Sequence, residues 1–591
     1  MYFVFEMGTI VGEKEGGNAN VPSQGEIEIK KPSKSGTGLL KNFVQQPEET
    51  FTIDKTKAEA MYSEAQKLLD MLDEYYGGKE NARRVLVTDE GWAKGWEGLL
   101  PDGKSLDETE DTTNTKMERN QRLIDVMKRA LLDPNQDTFK VGILGSSVAA
   151  GHDNCAYDNY SNQLMRLWAP VWEAGGMKVD VQNAGEGGGC GDSHKNQVYC
   201  MTQNVSPDVD ILHYVWTYFE AGGVWEPFRE SYVRWAQMLH PRRPPVHVTN
   251  VGDANKCLQK GGDNGLFNQY DEFAYNGFCM RKSIYNSIKD KDESIKGEKF
   301  GEDTVFKGKH VGDGLHQTTR YGEGDDVDPQ RRDGLGVVMR NWHPGPLGFQ
   351  RISDGYAYVY TLALMRALDA LMPHMDSRKK WTIATQNVLD TPRVLKEDLP
   401  DPLHCEPRYC TVDAAPTCLN LELPTYGWWG ASIVDPDDFL NPYKGQNQNW
   451  KPWKEDKGPG HMVPVVEQEL FKDNAKFCEF PDHCAAITAK NPEDGRIVFK
   501  LPKMNVGMVA VCVCCGKKPA VEQILENEHV VVELNGEELD RKDWDLYPET
   551  KCVRLIQEGA PSQGPTGHSY LSFEIKEGNH KKIQISHLIT I

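Results

Sequence analysis

A serine that follows a short, largely apolar run is the residue of this chain best placed for chemistry. The run from Val141 to Leu144 is followed by small residues and then by a predicted helix. Such a run is typical of a strand ending at the carboxyl edge of a parallel sheet, where open α/β folds bind ligands. Ser147 lies in the turn, where its hydroxyl can act as a nucleophile and its N–H can bind an oxyanion.

Three later segments could complete such a site. A strand-like run at 179–183 opens into a glycine cluster at 185–189, and glycine lets backbone N–H groups approach a ligand closely. A third apolar run, at 209–215, leads into an aromatic-rich turn. His343 comes just before a long helical pattern, from about 352 to 371, which is a suitable place for a general base.

These four segments, in this order, resemble the SGNH (GDSL-type) hydrolase superfamily. The resemblance covers roughly residues 138–372. It implies an α/β fold with a flavodoxin-like parallel sheet, and an activity among the esterases, lipases, acyltransferases and carbohydrate deacetylases of that superfamily. The alternation of strand and helix patterns in the same region independently predicts a parallel sheet with helices on both faces.

The resemblance also implies roles for individual residues. Ser147 matches the nucleophile, and Gly188, five residues after Asn183, matches an oxyanion donor in the second block. His343 matches the base, since the His-Pro-x-x-x-Gly pattern of the family is complete from this residue onward. The site residues expected from the resemblance are therefore Ser147 and His343 for catalysis, with the N–H groups of Ser147 and Gly188 as oxyanion donors.

Three positions depart from the family pattern. Ser146 stands where the family has an aspartate, and Thr217 stands where it has the asparagine that donates to the oxyanion. Arg340 replaces the aspartate three residues before the histidine, and a cation there disfavours the protonated form of His343. Either a carboxylate from elsewhere orients His343, or the site is a Ser-His dyad, or it is inactive. The Thr217 hydroxyl is the candidate replacement for the asparagine.

A second histidine competes for the role of base. Asp313 and His316 match the Asp-x-x-His pattern of the family, but they lie in a polar insertion from about 253 to 335. No helical pattern follows His316, whereas one follows His343, so His343 is favoured. Asp313 and Asp333 remain candidates for the carboxylate that orients His343.

The expected chemistry is acyl transfer from a small-molecule or glycan ester, with no cofactor and no metal. Loss of one oxyanion donor typically lowers turnover by ~100- to 1,000-fold, so the missing asparagine predicts a slow hydrolase or a changed acceptor. The alternative is a catalytically impaired SGNH-derived protein that serves as an extracellular or glycan-binding structural protein. No pattern indicates the oligomeric state.

Composition limits the class of protein. A chain of 591 residues is expected to form more than one domain. The net charge of −21 argues against nucleic acid and against an anionic membrane surface as partners. No apolar run approaches the ~18–20 residues needed to span a bilayer, so no integral membrane segment is expected.

The fourteen cysteines favour disulfides, and thus a secreted or endomembrane-lumenal protein. Glycosylation sequons begin at Asn159 and Asn204, which is compatible with a glycoprotein. No leader is evident, because Glu6 comes early and no basic stretch precedes it. Zinc ligation is a less favoured alternative, since paired Cys-x-x-Cys spacing is missing. The third interpretation is that the cysteines are reduced and have only a structural role.

The remaining segments predict the domain organisation. A helix capped by Asp54 opens the N-terminal helical segment. Tryptophans at 428–429, 450 and 453 could stack on sugars or anchor an irregular segment, and anchoring is favoured. Alternating short strands predict a C-terminal β-sandwich, carbohydrate-binding or structural. The predicted parts are a disordered arm at 1–50, a helical segment at 51–135, the SGNH hydrolase-like α/β domain at 136–375, a Cys/Trp/Pro-rich connecting segment at 376–484 and the β-sandwich at 485–591.

Overall fold

The chain divides into two units, Met1–Thr50 and Phe51–Ile591. The computed structural model describes residues of the second unit, and the predicted arm at 1–50 lies outside them. The described residues are 53–88, 121–151, 159–185, 198–216, 226–250, 270, 273–280, 283, 339–340, 343–344, 346–390, 399–405, 417–420, 449–454, 485–501, 504, 506–513, 520–546, 552–559 and 569–591.

A parallel sheet forms the centre of the first half of this unit. Its strands are β1 Thr138–Gly145, β2 Lys178–Gly185, β3 Ile211–Val215, β4 Val246–Asn250 and β5 Ala274–Cys279. All pairs are parallel, and the order is β2-β1-β3-β4-β5, one of the two common orders of doubly wound sheets. The predicted α/β class with a parallel sheet is confirmed.

Helices cover one face of this sheet. Val141 and Ile143 of β1 share one buried core with side chains of α1, α5 and α8. Helix α1 begins after Asp54, whose carboxylate accepts from the Lys57 N–H as predicted. The helices are α1 Lys55–Tyr75, α2 Lys79–Leu86, α3 Gln121–Leu132, α4 Ser147–Ala150, α5 Tyr160–Ala174, α6 Met201–Asn204, α7 Glu226–Leu239, α8 Pro346–Met375 and α9 Arg378–Asp390.

The other face of the sheet is covered partly by α7 and partly by a separate set of strands. Leu144 of β1 and Leu212 of β3 point away from the α1–α5–α8 layer and share a core with Trp235 of α7. Ala510 and Ile589, from near the end of the chain, belong to the same core. The apolar surface of the parallel sheet is therefore completed by residues far away in sequence.

Those residues belong to an antiparallel β domain. One sheet has the order β15-β16-β12-β18-β10-β9, with β8 also paired to β18, and the second has the order β11-β17-β13-β14. Side chains from both sheets form one core, among them Phe499, Val511, Val532 and Phe573. The strands are β8 Thr417–Asn420, β9 Lys451–Lys454, β10 Ala485–Ala489, β11 Arg496–Leu501, β12 Val509–Val513, β13 Val530–Leu534, β14 Glu537–Glu538, β15 Asp545–Leu546, β16 Cys552–Ile556, β17 Ser569–Ile575 and β18 Ile583–Thr590.

The segment at 376–484 contributes to both parts of the fold. It supplies α9 and the two strands β8 and β9, which pair with β18 and β10. Trp450 is 2% exposed, and its indole N–H donates to the Gly495 carbonyl at 3.0 Å. This tryptophan therefore anchors the segment to the β domain, as the favoured interpretation predicted. Tryptophans 428–429 lie outside the described residues.

Strand β5 was not predicted. It falls within the supposed polar insertion at 253–335, most of which lies outside the described residues. Gly277 interrupts the apolar pattern of this strand. A side chain does not fit there, because a Cβ at this position would lie 2.7 Å from the Tyr356 hydroxyl of α8. The close packing of α8 on the strand requires the glycine that hides the strand pattern.

Disulfides are present, as the cysteine content predicted. Cys512 and Cys552 are bonded across the neighbouring strands β12 and β16, where they are directly opposite in register. Cys200, Cys279 and Cys405 are also disulfide-bonded. Of the cysteines whose side chains the structure describes, none is free. In the described part of the chain, every helix is too short or too polar to cross a bilayer.

A buried polar cluster lies between the parallel sheet and α8. The hydroxyl of Tyr360 lies between the imidazoles of His213 on β3 and His247 on β4, at 2.6 Å from the His213 Nε2 and in contact with the His247 Nδ1. Both histidines are fully buried. Burial lowers the pKa of His247 to about 3, and burial followed by the nearby His247 lowers the pKa of His213 well below its usual value.

These histidines should make the stability of the protein sensitive to mild acid. In the unfolded chain they bind protons near pH 6.5, whereas the native state resists protonation until pH is far lower. The free energy of unfolding should therefore fall as pH is lowered from 6.5, by at most ~1.4 kcal/mol per pH unit for each imidazole. The measurement is chemical denaturation at pH 7.5, 6.0 and 4.5.

The variant His247→Asn removes one titrating group and should make this fall shallower by ~1 kcal/mol per pH unit between pH 6 and 4. His580→Gln is the matched control, because the His580 side chain is exposed in the β domain and lies outside the buried cluster. The same slope in wild type and His247→Asn would mean that His247 is not kept neutral by the fold.

Candidate active site

The turn after β1 lies at the carboxyl edge of the parallel sheet. Strand β1 ends at Gly145 and is followed at once by α4, whose first residue is Ser147. The neighbouring strand β3 ends at Val215, and the Val215 carbonyl accepts a hydrogen bond from the Ser146 N–H at 3.2 Å. With β2 on one side of β1 and β3 on the other, the chain reverses its winding direction between β1 and β3. Ser147 is therefore at the topological switch point, where doubly wound sheets bind ligands.

Glycines at both ends of this turn allow its tight shape. A Cβ on Gly145 would lie 2.6 Å from the Cβ atoms of both Ala149 and Val215, so a side chain cannot be placed there without moving the backbone. Gly151 follows α4 with a φ of +83°, a conformation that favours glycine, and a Cβ there would meet the Asn159 Cβ at 2.8 Å. The small residues that mark the turn in the sequence are thus required by the close return of α4 onto the strand.

Two serines, Ser146 and Ser147, follow each other in this turn. Ser146 is fully buried, and its hydroxyl donates to the Val215 carbonyl at 3.4 Å. Ser146 occupies the position at which the SGNH pattern has an aspartate, and here its N–H and hydroxyl join β1 to β3. Ser147 begins α4, and the first N–H groups of a helix have no acceptor within that helix. The Ser146 hydroxyl is thus engaged with the neighbouring strand β3.

Asn183, near the end of β2, is bonded to this turn. Its side chain is 3% exposed, and its Nδ2 donates to the Ala149 carbonyl at 2.7 Å and to the Ser161 Oγ at 2.8 Å. Its Oδ1 accepts from the Gly185 N–H at 2.8 Å. The sequence marks Asn183 only by its spacing from Gly188, so its contact with α4 had not been predicted. One signal in the sequence could have indicated this contact. Val179 and Val181 alternate with polar residues, and Asn183 takes the next position on the same, buried face of the strand.

The sequon asparagines are both buried. Asn159 is 2% exposed, and its Oδ1 caps α5 by accepting from the Asn162 N–H at 3.0 Å. Asn204 is 4% exposed. Glycosylated asparagines are surface residues, so this burial disfavours a glycan on the folded protein at either position.

The predicted base lies in a short hairpin beside the turn. Strand β6, Met339–Arg340, pairs antiparallel with β7, His343–Pro344, and places Arg340 opposite His343 in register. Helix α8 begins at Pro346, directly after this hairpin, as predicted. Residues of β7 and α4 approach within 8 Å of each other, measured between Cα atoms. The fold therefore brings together the backbone segments of Ser147 and His343, which are separated by almost two hundred residues in the sequence.

The other predicted site residues, Gly188, Thr217, Asp313, His316 and Asp333, lie outside the described residues. Within the described part of the chain, no group of three or more His, Cys, Asp or Glu side chains is placed to hold a metal ion. A separate cleft between α1 and α8 is lined by Tyr62, Asp73, Tyr358 and Asp369, among others.

Comparison with known proteins yields little. No protein-family model matches the chain, and no curated protein does. Two solved structures of a two-domain esterase active on acetylated mannans, the second co-crystallised with mannopentaose, are similar to it. They are 13% and 12% identical, cover 79% and 80% of this chain and 94% of their own, and have TM-scores of 0.34. That TM-score is too low to establish a common fold, so the architecture described above stands on the geometry of this chain alone.

The tight turn can be tested at Gly145. Gly145→Ala should lower the free energy of unfolding by ~1–3 kcal/mol, because the added methyl group would overlap Ala149 and Val215. Urea denaturation measures the change. Gly175→Ala is the matched control, since its methyl group would first meet the flexible Met61 thioether, at 3.0 Å, and should cost less. Equal losses in the two variants would contradict the close approach of α4 to the strand.

Proposed function

We propose that the protein is a serine hydrolase of SGNH type, with a flavodoxin-like α/β domain, that cleaves acyl esters of small molecules or glycans. The observation that carries the proposal is the position of Ser147 at the switch point of the sheet, with the His343 strand within 8 Å of the same short helix. A parallel sheet of order β2-β1-β3-β4-β5 agrees with the flavodoxin-like order that the SGNH resemblance implies.

In the proposed reaction the Ser147 hydroxyl attacks the ester carbonyl while His343 takes its proton. The ester C–O bond then breaks, the alcohol leaves with the proton from His343, and the acyl group stays on the Ser147 oxygen. His343 next takes a proton from water while the water oxygen attacks the acyl carbon. The bond between that carbon and the Ser147 oxygen then breaks, His343 returns the proton to the Ser147 oxygen, and the carboxylic acid leaves. Apart from the ester and one water molecule, these steps use only side chains and backbone of the chain.

The negative charge that develops on the carbonyl oxygen requires hydrogen-bond donors. We assign this role to the N–H groups of Ser147 and Gly188, with the Thr217 hydroxyl in place of the family asparagine. The carboxylate that orients His343 is proposed to be Asp313 or Asp333, and in its absence the pair acts as a dyad. His316 remains the alternative base. The disulfides favour assignment of the protein to a secreted or lumenal compartment.

A second proposal is a catalytically impaired SGNH-derived protein with an extracellular or glycan-binding role. The specific observation in its favour is the register of the β6–β7 hairpin, which pairs Arg340 with His343. A guanidinium near the base opposes the positive charge that the imidazole must take up during attack. Thr217 also favours this second proposal, because it stands at the position of the family asparagine and has no side-chain N–H group to donate.

Covalent labelling with a fluorophosphonate probe tests the assignment of the nucleophile. The wild-type protein should be labelled, Ser147→Ala should not be labelled, and His343→Ala should react ~100- to 10,000-fold more slowly because it lacks the base. Ser146→Ala is the matched control: it removes the neighbouring hydroxyl, which is buried against Val215, and should retain labelling.

Loss of labelling in His316→Ala but not in His343→Ala would transfer the role of base to His316. Folded wild-type protein that does not react would refute the esterase proposal and favour the impaired, glycan-binding alternative. Retained labelling in Ser147→Ala would show that another residue is the nucleophile.

A further inference from the structure

We propose that Asn183 is a positioning residue of the active site, one that holds the turn carrying Ser147 in place against the end of β2. The inference rests on the proposed function. Asn183 does not touch the reacting atoms in this proposal. It acts through the backbone of the two segments that do.

The first contact ties Asn183 to the nucleophile turn. Its Nδ2 donates to the carbonyl of Ala149 at 2.7 Å, two residues after Ser147 in α4. A helix of four residues has little hydrogen bonding of its own, so a side chain from a neighbouring strand contributes substantially to its orientation. Through Ala149, Asn183 fixes the direction of the Ser147 N–H relative to the sheet.

The second contact ties Asn183 to the start of the glycine cluster. Its Oδ1 accepts from the Gly185 N–H at 2.8 Å, at the last residue of β2. Gly188, the second proposed oxyanion donor, follows three residues later. A single carboxamide therefore bonds both to the turn that carries one donor and to the strand end that leads to the other.

The third contact fixes the orientation of the amide group. The second N–H of Nδ2 donates to the Ser161 Oγ at 2.8 Å, and the Ser161 hydroxyl donates in turn to Asn159 at 2.8 Å. Asn159 caps α5, so the bonded chain runs from β2 through α5. Both N–H groups of the Asn183 amide and its oxygen are thus engaged within the protein, and the side chain is 3% exposed. It is committed to positioning and not to binding substrate.

An aspartate at position 183 would have nearly the same shape as the asparagine, but it would have no N–H group to donate. Its ionised carboxylate would place an oxygen, with no proton to donate, against the Ala149 carbonyl. A protonated carboxyl group can donate one hydrogen bond to that carbonyl and restore the tie. The variant Asn183→Asp should therefore be impaired at neutral pH and should recover relative to wild type as pH is lowered.

The experiment compares wild type, Asn183→Ala, Asn183→Asp and Gln182→Ala in two assays. These are the rate of fluorophosphonate labelling and the kcat and KM for p-nitrophenyl acetate, each measured between pH 5 and 8. Circular dichroism and thermal denaturation of every variant establish that it is folded. Gln182→Ala is the matched control, because Gln182 is the neighbour on β2 and accepts from the Ser206 N–H at 2.6 Å, with no bond to α4.

For Asn183→Ala we expect labelling and kcat to fall ~10- to 100-fold with KM within about threefold of wild type, since misplaced oxyanion donors weaken the transition state more than substrate binding. Gln182→Ala should retain wild-type labelling even if its thermal midpoint is lower. The ratio of the Asn183→Asp rate to the wild-type rate should rise ~10-fold from pH 8 to pH 5.

Labelling of folded Asn183→Ala within about twofold of reactive wild type would overturn this inference and leave the proposed function standing. Should Asn183→Ala not fold, a pH-independent ratio of Asn183→Asp to wild type would overturn it instead. An equal loss of labelling in Gln182→Ala would also overturn it, because the effect would then belong to β2 in general. A wild-type protein inert to the probe would refute the proposed function and this inference with it.

Discussion

The arrangement at the edge of the sheet depends on the lack of a side chain at Gly145. Only a hydrogen atom fits between β1, the end of β3 and the returning helix α4, since a Cβ would lie 2.6 Å from two other Cβ atoms. The close approach places the Ser146 N–H against the last carbonyl of β3 and makes Ser147 the first residue of α4. Asn183 then secures the same helix from the other side, through Ala149. The geometry of the turn thus follows from packing limits, and the proposed chemistry makes use of it.

The two faces of the parallel sheet are built in different ways. One face packs on α1, α5 and α8, and it includes polar groups that satisfy one another, with Tyr360 placed between two buried histidines. The other face is sealed by α7 and by residues of the β domain in one continuous core. Buried imidazoles are tolerated on the first face because each has a hydrogen-bond partner. Burial disfavours their charged forms and thereby lowers the pKa of both histidines. The second face also includes buried polar groups, since the Tyr270 hydroxyl of its core donates to the Glu230 carboxylate of α7 at 2.6 Å.

Much of this fold could be predicted from the sequence because its elements have strong local signals. Helix α1 has both its cap at Asp54 and its apolar face, and strands β1 to β3 coincide with the strand-like runs at 141–144, 179–183 and 209–215. Strand β5 was missed because packing against Tyr356 demands a glycine within it. The contacts of Asn183 could not be predicted, since they depend on the register of β2 beside β1 and on the return path of α4. Spacing could suggest which residues matter at the site, but only the folded chain relates Ser147 to the β6–β7 hairpin.

The continuous core beneath the parallel sheet has a consequence for the order in which the protein can be made. A ribosome delivers the strands of the sheet first and the β domain last, so Leu144 and Leu212 emerge long before Ala510 and Ile589, which cover the same face. During that interval the nascent sheet presents an apolar surface whose permanent cover has not yet been synthesised. The core that contains Leu144 and Leu212 is therefore complete only after Ala510 and Ile589 have been synthesised.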